Sequence, residues 1–135
     1  MAGKYSPKAQ IKINALRTMS DRVQHVHGMV EKYAVTKNPK EAERMSQPMK
    51  RAFGKLKLDL MGAGFDNMSQ LAGAMEIAAG RGGSARNKVR ILREGVGSLR
   101  FQVEQEQRRI AAEDEREQRR AAEAEARRAT ADDQG

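Results

Sequence analysis

The chain has 135 residues, 39% hydrophobic and 33% charged, enough for one ordinary domain and short of the apolar matter a large core needs. Five aromatics among abundant Ala, Arg, Glu, Gln, Lys and Met argue against sandwiches, barrels and doubly wound sheets, while zero Cys and two His remove disulfides, thiolate zinc sites and cysteine nucleophiles and leave little general-base chemistry. The net charge is +8 and unevenly spread: Met1 to Val103 carries 19 Lys and Arg against 8 Asp and Glu, whereas Glu104 to Gly135 carries 7 against 10.

Ser6-Pro7 is a helix start, a capping hydroxyl before a proline whose missing N–H costs nothing in the first turn. The helix is expected to run to about Ala34, because Leu16, Met19, Val23, Val26, Val30 and Tyr33 recur at intervals of three and four, with Ile13 and Met29 widening the stripe. Asn38-Pro39-Lys40-Glu41 repeats the start signal for a second helix. Pro48 then removes a helical donor and crowds the preceding turn, so a break is expected near Gln47.

From Met49 onward Phe53, Leu56, Leu60, Met68, Leu71, Met75 and Ala78 keep one helical phase. A terminator normally resets the register, so Gly62-Ala63-Gly64 is expected to lie inside one long helix whose small residues admit a close neighbour. Gly80-Arg81-Gly82-Gly83-Ser84 is the clearest break, and Ser84 can cap a further helix with Val89, Leu92, Val96, Leu99 and Val103 at three-four spacing. Beyond Ile110 the chain falls to Ala, Glu, Arg and Gln, with Glu104/Arg108, Glu115/Arg119 and Glu123/Arg127 spaced to support an exposed helix; Thr130 to Gly135 is expected to be disordered. The expected fold is all-α, an antiparallel bundle of three to four helices over residues 1–110 with a charged extension, helical or disordered, over 111–135.

No stretch approaches the roughly 18 consecutive apolar residues of a membrane span, and the polar amino end lacks a secretory core, so a soluble, cytoplasmic protein is expected. His25 and His27, two apart on a helix, point to different faces, whereas two ligands for one metal need a spacing of three or four. Asp21 and His25 could pair, but no nucleophile has a sequence reason to join them. Neither a catalytic site nor a metal or cofactor is expected.

The Gly80 to Ser84 loop leads into a helix whose free N–H groups, beside Arg81 and Arg86, could hold a backbone phosphate. It lacks the Gly-Lys-Ser/Thr ending of a nucleotide loop, and a plain glycine turn between helices accounts for it as well. More informative are three basic rows. Arg86, Arg93 and Arg100 lie one heptad apart with Arg90 on the same flank; Lys40, Arg44, Arg51 and Lys55 recur on the second helix, joined by Lys50 and Lys57; and Lys4, Lys8 and Lys12 are spaced by four. Solvated faces usually interleave acids, and these rows are largely unrelieved, which points to a phosphate backbone. With almost no exposed aromatics expected, recognition would rest on charge and shape.

Val30-Glu31-Lys32-Tyr33, Arg51-Ala52-Phe53-Gly54, and Leu92-Arg93-Glu94 with Gly97-Ser98-Leu99-Arg100, in that order and spacing, resemble the four-helix-bundle family of ribosomal-RNA intervening-sequence proteins and the accessory variability determinant of bacterial and phage diversity-generating retroelements. The resemblance covers Val30 to Val103. It implies a basic homo-oligomer, a pentameric barrel, that binds a reverse transcriptase and its template RNA and catalyses nothing itself. Where that family packs a fourth apolar helix at the carboxyl end, this chain has Ile110 and the Ala/Glu/Arg tract. The reading from sequence is therefore a non-enzymatic accessory protein that binds RNA, or DNA, through its basic rows; the alternative is a helical scaffold whose basic face meets an acidic protein.

Overall fold

In a computed structural model that describes residues 4–134, the chain forms four helices: α1 (Pro7–Val35), α2 (Pro39–Gly62), α3 (Asp66–Gly80) and α4 (Ala85–Gln134). No strand occurs among the described residues. The fold is an all-α bundle.

The first helix starts as its sequence dictates, with Ser6 Oγ accepting from the Ala9 N–H at 3.2 Å and Pro7 in the first turn. Its whole stripe from Ile13 to Tyr33 is buried, apart from Met29, which is half-buried at the edge. Asn38 Oδ1 caps α2 by accepting from the Lys40 N–H at 2.9 Å.

The break expected at Pro48 is absent: α2 continues through it to Gly62. An interior proline costs about 3 kcal/mol and leaves one carbonyl without its donor. Met49 and Phe53, both fully buried, and Met45, packed against the core, flank Pro48 and hold its two sides in one helix.

The long helix expected across Gly62-Ala63-Gly64 is likewise corrected. Gly64 has φ +85°, where a side chain is strained, and two hydrogen bonds close the end of α2: Phe65 N–H to Leu60 C=O at 2.9 Å and Gly64 N–H to Met61 C=O at 3.0 Å. This is the Schellman pattern, in which the residue after the glycine packs back on the last turn; Phe65 lies against the core beside buried Leu60. The chain reverses there, and the fourth helix of the bundle comes from this split.

Cross-helix pairs set the topology. Arg22 pairs with Asp59 and Thr36 Oγ1 meets Met45 Sδ, so α1 and α2 are antiparallel. Lys57 reaches Glu76 at 3.2 Å and the Lys50 chain lies over Gly80, so α2 and α3 are antiparallel. Lys88 reaches the Ala79 carbonyl, and Met75 fills the space a side chain on Gly95 would take, so α3 and α4 are antiparallel. Arg93 meets Glu31 while Arg100 meets Gln24, which closes α4 against α1. Each helix packs on its two sequence neighbours, the ring being closed by α1 and α4.

The disorder expected from Thr130 onward does not appear, since α4 extends to Gln134; Gly135 lies outside the described residues. Ala, Glu and Arg are strong helix formers, and Glu104–Arg108 (4.0 Å) and Glu115–Arg119 (3.2 Å) close as spaced. Among the described residues, no ion pair joins Glu123 to Arg127. Packing along α4 ends at Asp114, only 4% exposed, which accepts from the Ser6 N–H (2.9 Å), the Ser6 hydroxyl (2.5 Å) and the Gln118 amide (2.7 Å). One hydroxyl therefore caps α1 and ties it to α4.

Two expectations follow. Hydrogen bonds from Ser6 hold the Asp114 carboxyl below its ordinary range, so its contribution to stability is present above the unfolded value of about 3.9 and is lost as pH falls through the lower folded value. Thermal melts between pH 5 and pH 2 should show the wild type losing more stability than Asp114→Asn over that window; parallel curves would detach Asp114 from the fold. Residues 121–132, all exposed, bury no large apolar side chain. Deleting 121–135 should therefore move Tm by no more than about 2 °C, as read by circular dichroism.

Candidate nucleic-acid interface

The antiparallel order brings the starts of α2 and α4 to the same end of the bundle, together with the α3–α4 loop and the end of α1. Two adjoining clefts open there, sharing Tyr33 and Ala85 in their walls. The first, about 950 Å³, is lined by Lys40 and Arg44 from α2, Arg81 from the loop and Lys88 from α4, with Glu43 as the acid in its wall. The second, about 930 Å³, is lined by Arg86, Arg90 and Arg93 of α4, with Glu94.

The candidate cations divide by what they touch. Lys40, Arg44, Arg81 and Arg86 are exposed, and among the described residues none of them has a carboxylate within 4.0 Å. Arg90 bonds Asn87 Oδ1 at 2.8 Å and lies 3.7 Å from Glu94, an exposed pair of the kind that adds little stability and yields readily to another anion.

Arg93 and Arg100 instead cross to α1. Arg93 Nε donates to both Glu31 oxygens, at 2.8 and 3.2 Å; this hydrogen bond lowers the Glu31 pKa and raises that of Arg93. Arg100 donates to Gln24 Oε1 at 3.0 Å. These two are seam-bridging residues, so the heptad row of α4 is not a uniform basic stripe.

On α2, Lys57 pairs with Glu76 and Lys50 lies over Gly80, both turned toward α3. Arg51 and Lys55 are exposed farther along the helix. Lys55 is 15 residues from Lys40, roughly 22 Å down the axis. Lys8 and Lys12 line clefts at the opposite end, where Glu106, Glu113, Asp114 and Glu117 share the walls with them. The structure thus gathers Lys40, Arg44, Arg81, Arg86 and Arg90 at one end, where Arg93 shares the second cleft but is held by Glu31, while Lys50, Arg51, Lys55, Lys57 and Arg100 line neither cleft.

Lys88 is the residue sequence reasoning missed. It falls four residues before Leu92 and one before Val89, at the edge of the α4 seam, and that position was the available signal. Phe101 is 56% exposed, against the expectation of almost no exposed aromatics; it breaks the Leu99/Val103 period and stands on the outer side of α4, among neither set of cleft residues. His25 is exposed and His27 half-buried, and no group of three or more metal-ligating side chains occurs among the described residues.

No family model, curated protein or solved structure matches the chain. The arrangement of its own residues is what bears on function. No helix among the described residues is long and apolar enough to cross a membrane.

Proposed function

We propose that this is a non-enzymatic protein that binds the phosphate backbone of RNA through the basic end of its bundle, as a homo-oligomeric accessory to a retroelement reverse transcriptase. The observation that carries the reading is the convergence of Lys40, Arg44, Arg81, Arg86 and Arg90 around two clefts in whose walls, among the described residues, Glu43 and Glu94 are the acids. Cations this concentrated repel one another and are relieved by an anionic ligand. Among the described residues no aromatic side chain other than Tyr33, itself buried, lines these clefts, so base stacking contributes little and recognition is of charge and shape. The reverse-transcriptase partner and the pentameric state rest on the family resemblance of the sequence segments.

The test is titration of a labelled single-stranded RNA at several salt concentrations, followed by competition with an unrelated RNA. Five phosphate contacts give a slope of log affinity against log salt of about −3.5, and unrelated RNA should compete fully. Absence of binding at low salt overturns the reading and leaves a helical scaffold for an acidic protein.

Self-association has its own support. Ile11, Leu58, Met61, Ile77, Ile91 and Phe101 are exposed apolar side chains distributed over all four helices. Light scattering at micromolar concentration should report a particle larger than the 15.0 kDa chain; a monomer throughout would remove this part of the proposal.

A further inference from the structure

Lys88 is a buried cation with no anionic partner among the described residues. It is 8% exposed, and its ammonium donates to the Ala79 carbonyl and to Ser46 Oγ, each at 3.3 Å, while the Tyr33 ring lies 5.6 Å away. All three neighbours are neutral, both hydrogen bonds are long, and the ammonium has a third N–H. Among the described residues, no carboxylate lies within 4.0 Å of it. Burial accordingly pushes its pKa down. Buried charges in proteins are paired or hold a ligand, because removing an ammonium from water is costly unless an opposite charge replaces the lost hydration.

Lys88 also borders the larger basic cleft. The groups facing that space are Tyr33 from α1, Lys40, Glu43 and Arg44 from α2, and Arg81 from the loop. Three exposed cations therefore stand around a fourth, buried one. An exposed basic patch binds any polyanion loosely, whereas a buried ammonium inside such a ring demands a small anion that can enter the cleft and accept several hydrogen bonds.

We infer that this cleft is a phosphate-binding site, in which Lys88 supplies a charge-assisted hydrogen bond from within and Arg44 and Arg81 clamp the phosphoryl oxygens from the rim. The inference rests on the phosphate-backbone reading and adds to it the group that would fix one phosphate in place. A phosphodiester of RNA and a free phosphorylated small molecule offer the same oxygens, and the experiment separates them.

The probes are inorganic phosphate, pyrophosphate and a short single-stranded RNA, each titrated into the full chain while the Lys88 side-chain resonances are followed by NMR. Pyrophosphate should shift those resonances saturably and raise the pKa of Lys88. Lys88→Gln should weaken pyrophosphate binding at least tenfold, while Arg17→Gln, the same charge change on an exposed α1 position, should leave it unaltered. Because Lys88 also satisfies a carbonyl in the last turn of α3, its variant can lose stability. Arg44→Gln with Arg81→Gln keeps Lys88 in place, and it too should weaken pyrophosphate binding at least tenfold.

If RNA binds but neither phosphate probe nor RNA moves Lys88, the ammonium is only a cap for α3 and this inference is overturned while RNA binding stands. If pyrophosphate moves Lys88 and RNA does not bind, the site stands for a small phosphorylated ligand and the backbone reading falls.

Discussion

Replacing Phe53 by Ala should remove about 3–5 kcal/mol of stability, the usual result of emptying a fully buried aromatic site. A chain of this length has about 7–20 kcal/mol in total, so the loss is a large fraction and should lower Tm by roughly 10–20 °C. Leu58→Ala, five residues away on α2 and well exposed, should change stability by no more than about 0.5 kcal/mol. Together the two variants test the orientation of α2 as well as its burial, because a helix broken at Pro48 with a different phase would redistribute these costs. Urea melts followed by helical ellipticity give both numbers from one protocol.

The second large effect is on binding. Converting Arg44, Arg81, Arg86 and Arg90 together to Gln should reduce the magnitude of the salt slope for single-stranded RNA by about 3 and weaken binding by roughly 100-fold or more at moderate salt. Helix content should persist, since three of these residues are exposed helical positions where Gln substitutes well and the fourth is in a loop. The matched control is Arg93→Gln with Arg100→Gln. It should leave the slope almost unchanged but lower Tm, because these arginines bridge α4 to Glu31 and Gln24 on α1. Filter binding across a salt series distinguishes the two outcomes, and equal losses in both variants would restore the heptad row as one binding stripe.

The ends and core faces of α1 and the core of α4 were legible because their signals are local and mutually consistent. Ser6-Pro7 and Asn38-Pro39 are capping chemistry, and the seams from Leu16 to Tyr33 and from Val89 to Val103 repeat with helical period. The α2–α3 hairpin was misread for a physical reason. Both helices must face one core, so an apolar row can keep its phase across a reversal when the turn has a suitable number of residues. Periodicity cannot then distinguish a straight helix from a hairpin. The informative feature was Gly64 followed by apolar Phe65, with Leu60 one turn back, which is the composition a Schellman cap requires. Pro48 was misread in the opposite sense, because burial on both of its sides outweighs a local cost.

At the candidate site, the sequence identified the basic rows but not their convergence. Spacing along one helix orders residues on that helix alone; the meeting of Lys40 and Arg44 with Arg81, Arg86 and Arg90 depends on which helix ends share a pole of the bundle. Partnership is equally invisible in one dimension. Arg86 and Arg93 belong to the same heptad row, yet Arg93 is held by Glu31, 62 residues away in sequence. Asp114 shows the same limit at the other pole: four residues past Ile110 it continues the seam, and its role becomes apparent only when Ser6 is beside it.

The central claim is that the pole formed by the start of α2, the α3–α4 loop and the start of α4 receives the RNA. Amide and arginine side-chain NMR shifts, recorded while a short single-stranded RNA is added, locate the contact residue by residue. The account predicts that the largest changes fall between residues 40 and 46 and between residues 80 and 90, with Arg100, the Lys4 to Lys12 segment and residues beyond 119 little affected. Largest changes along Arg93 to Arg100, or at the opposite pole around Lys8 and Lys12, would contradict it.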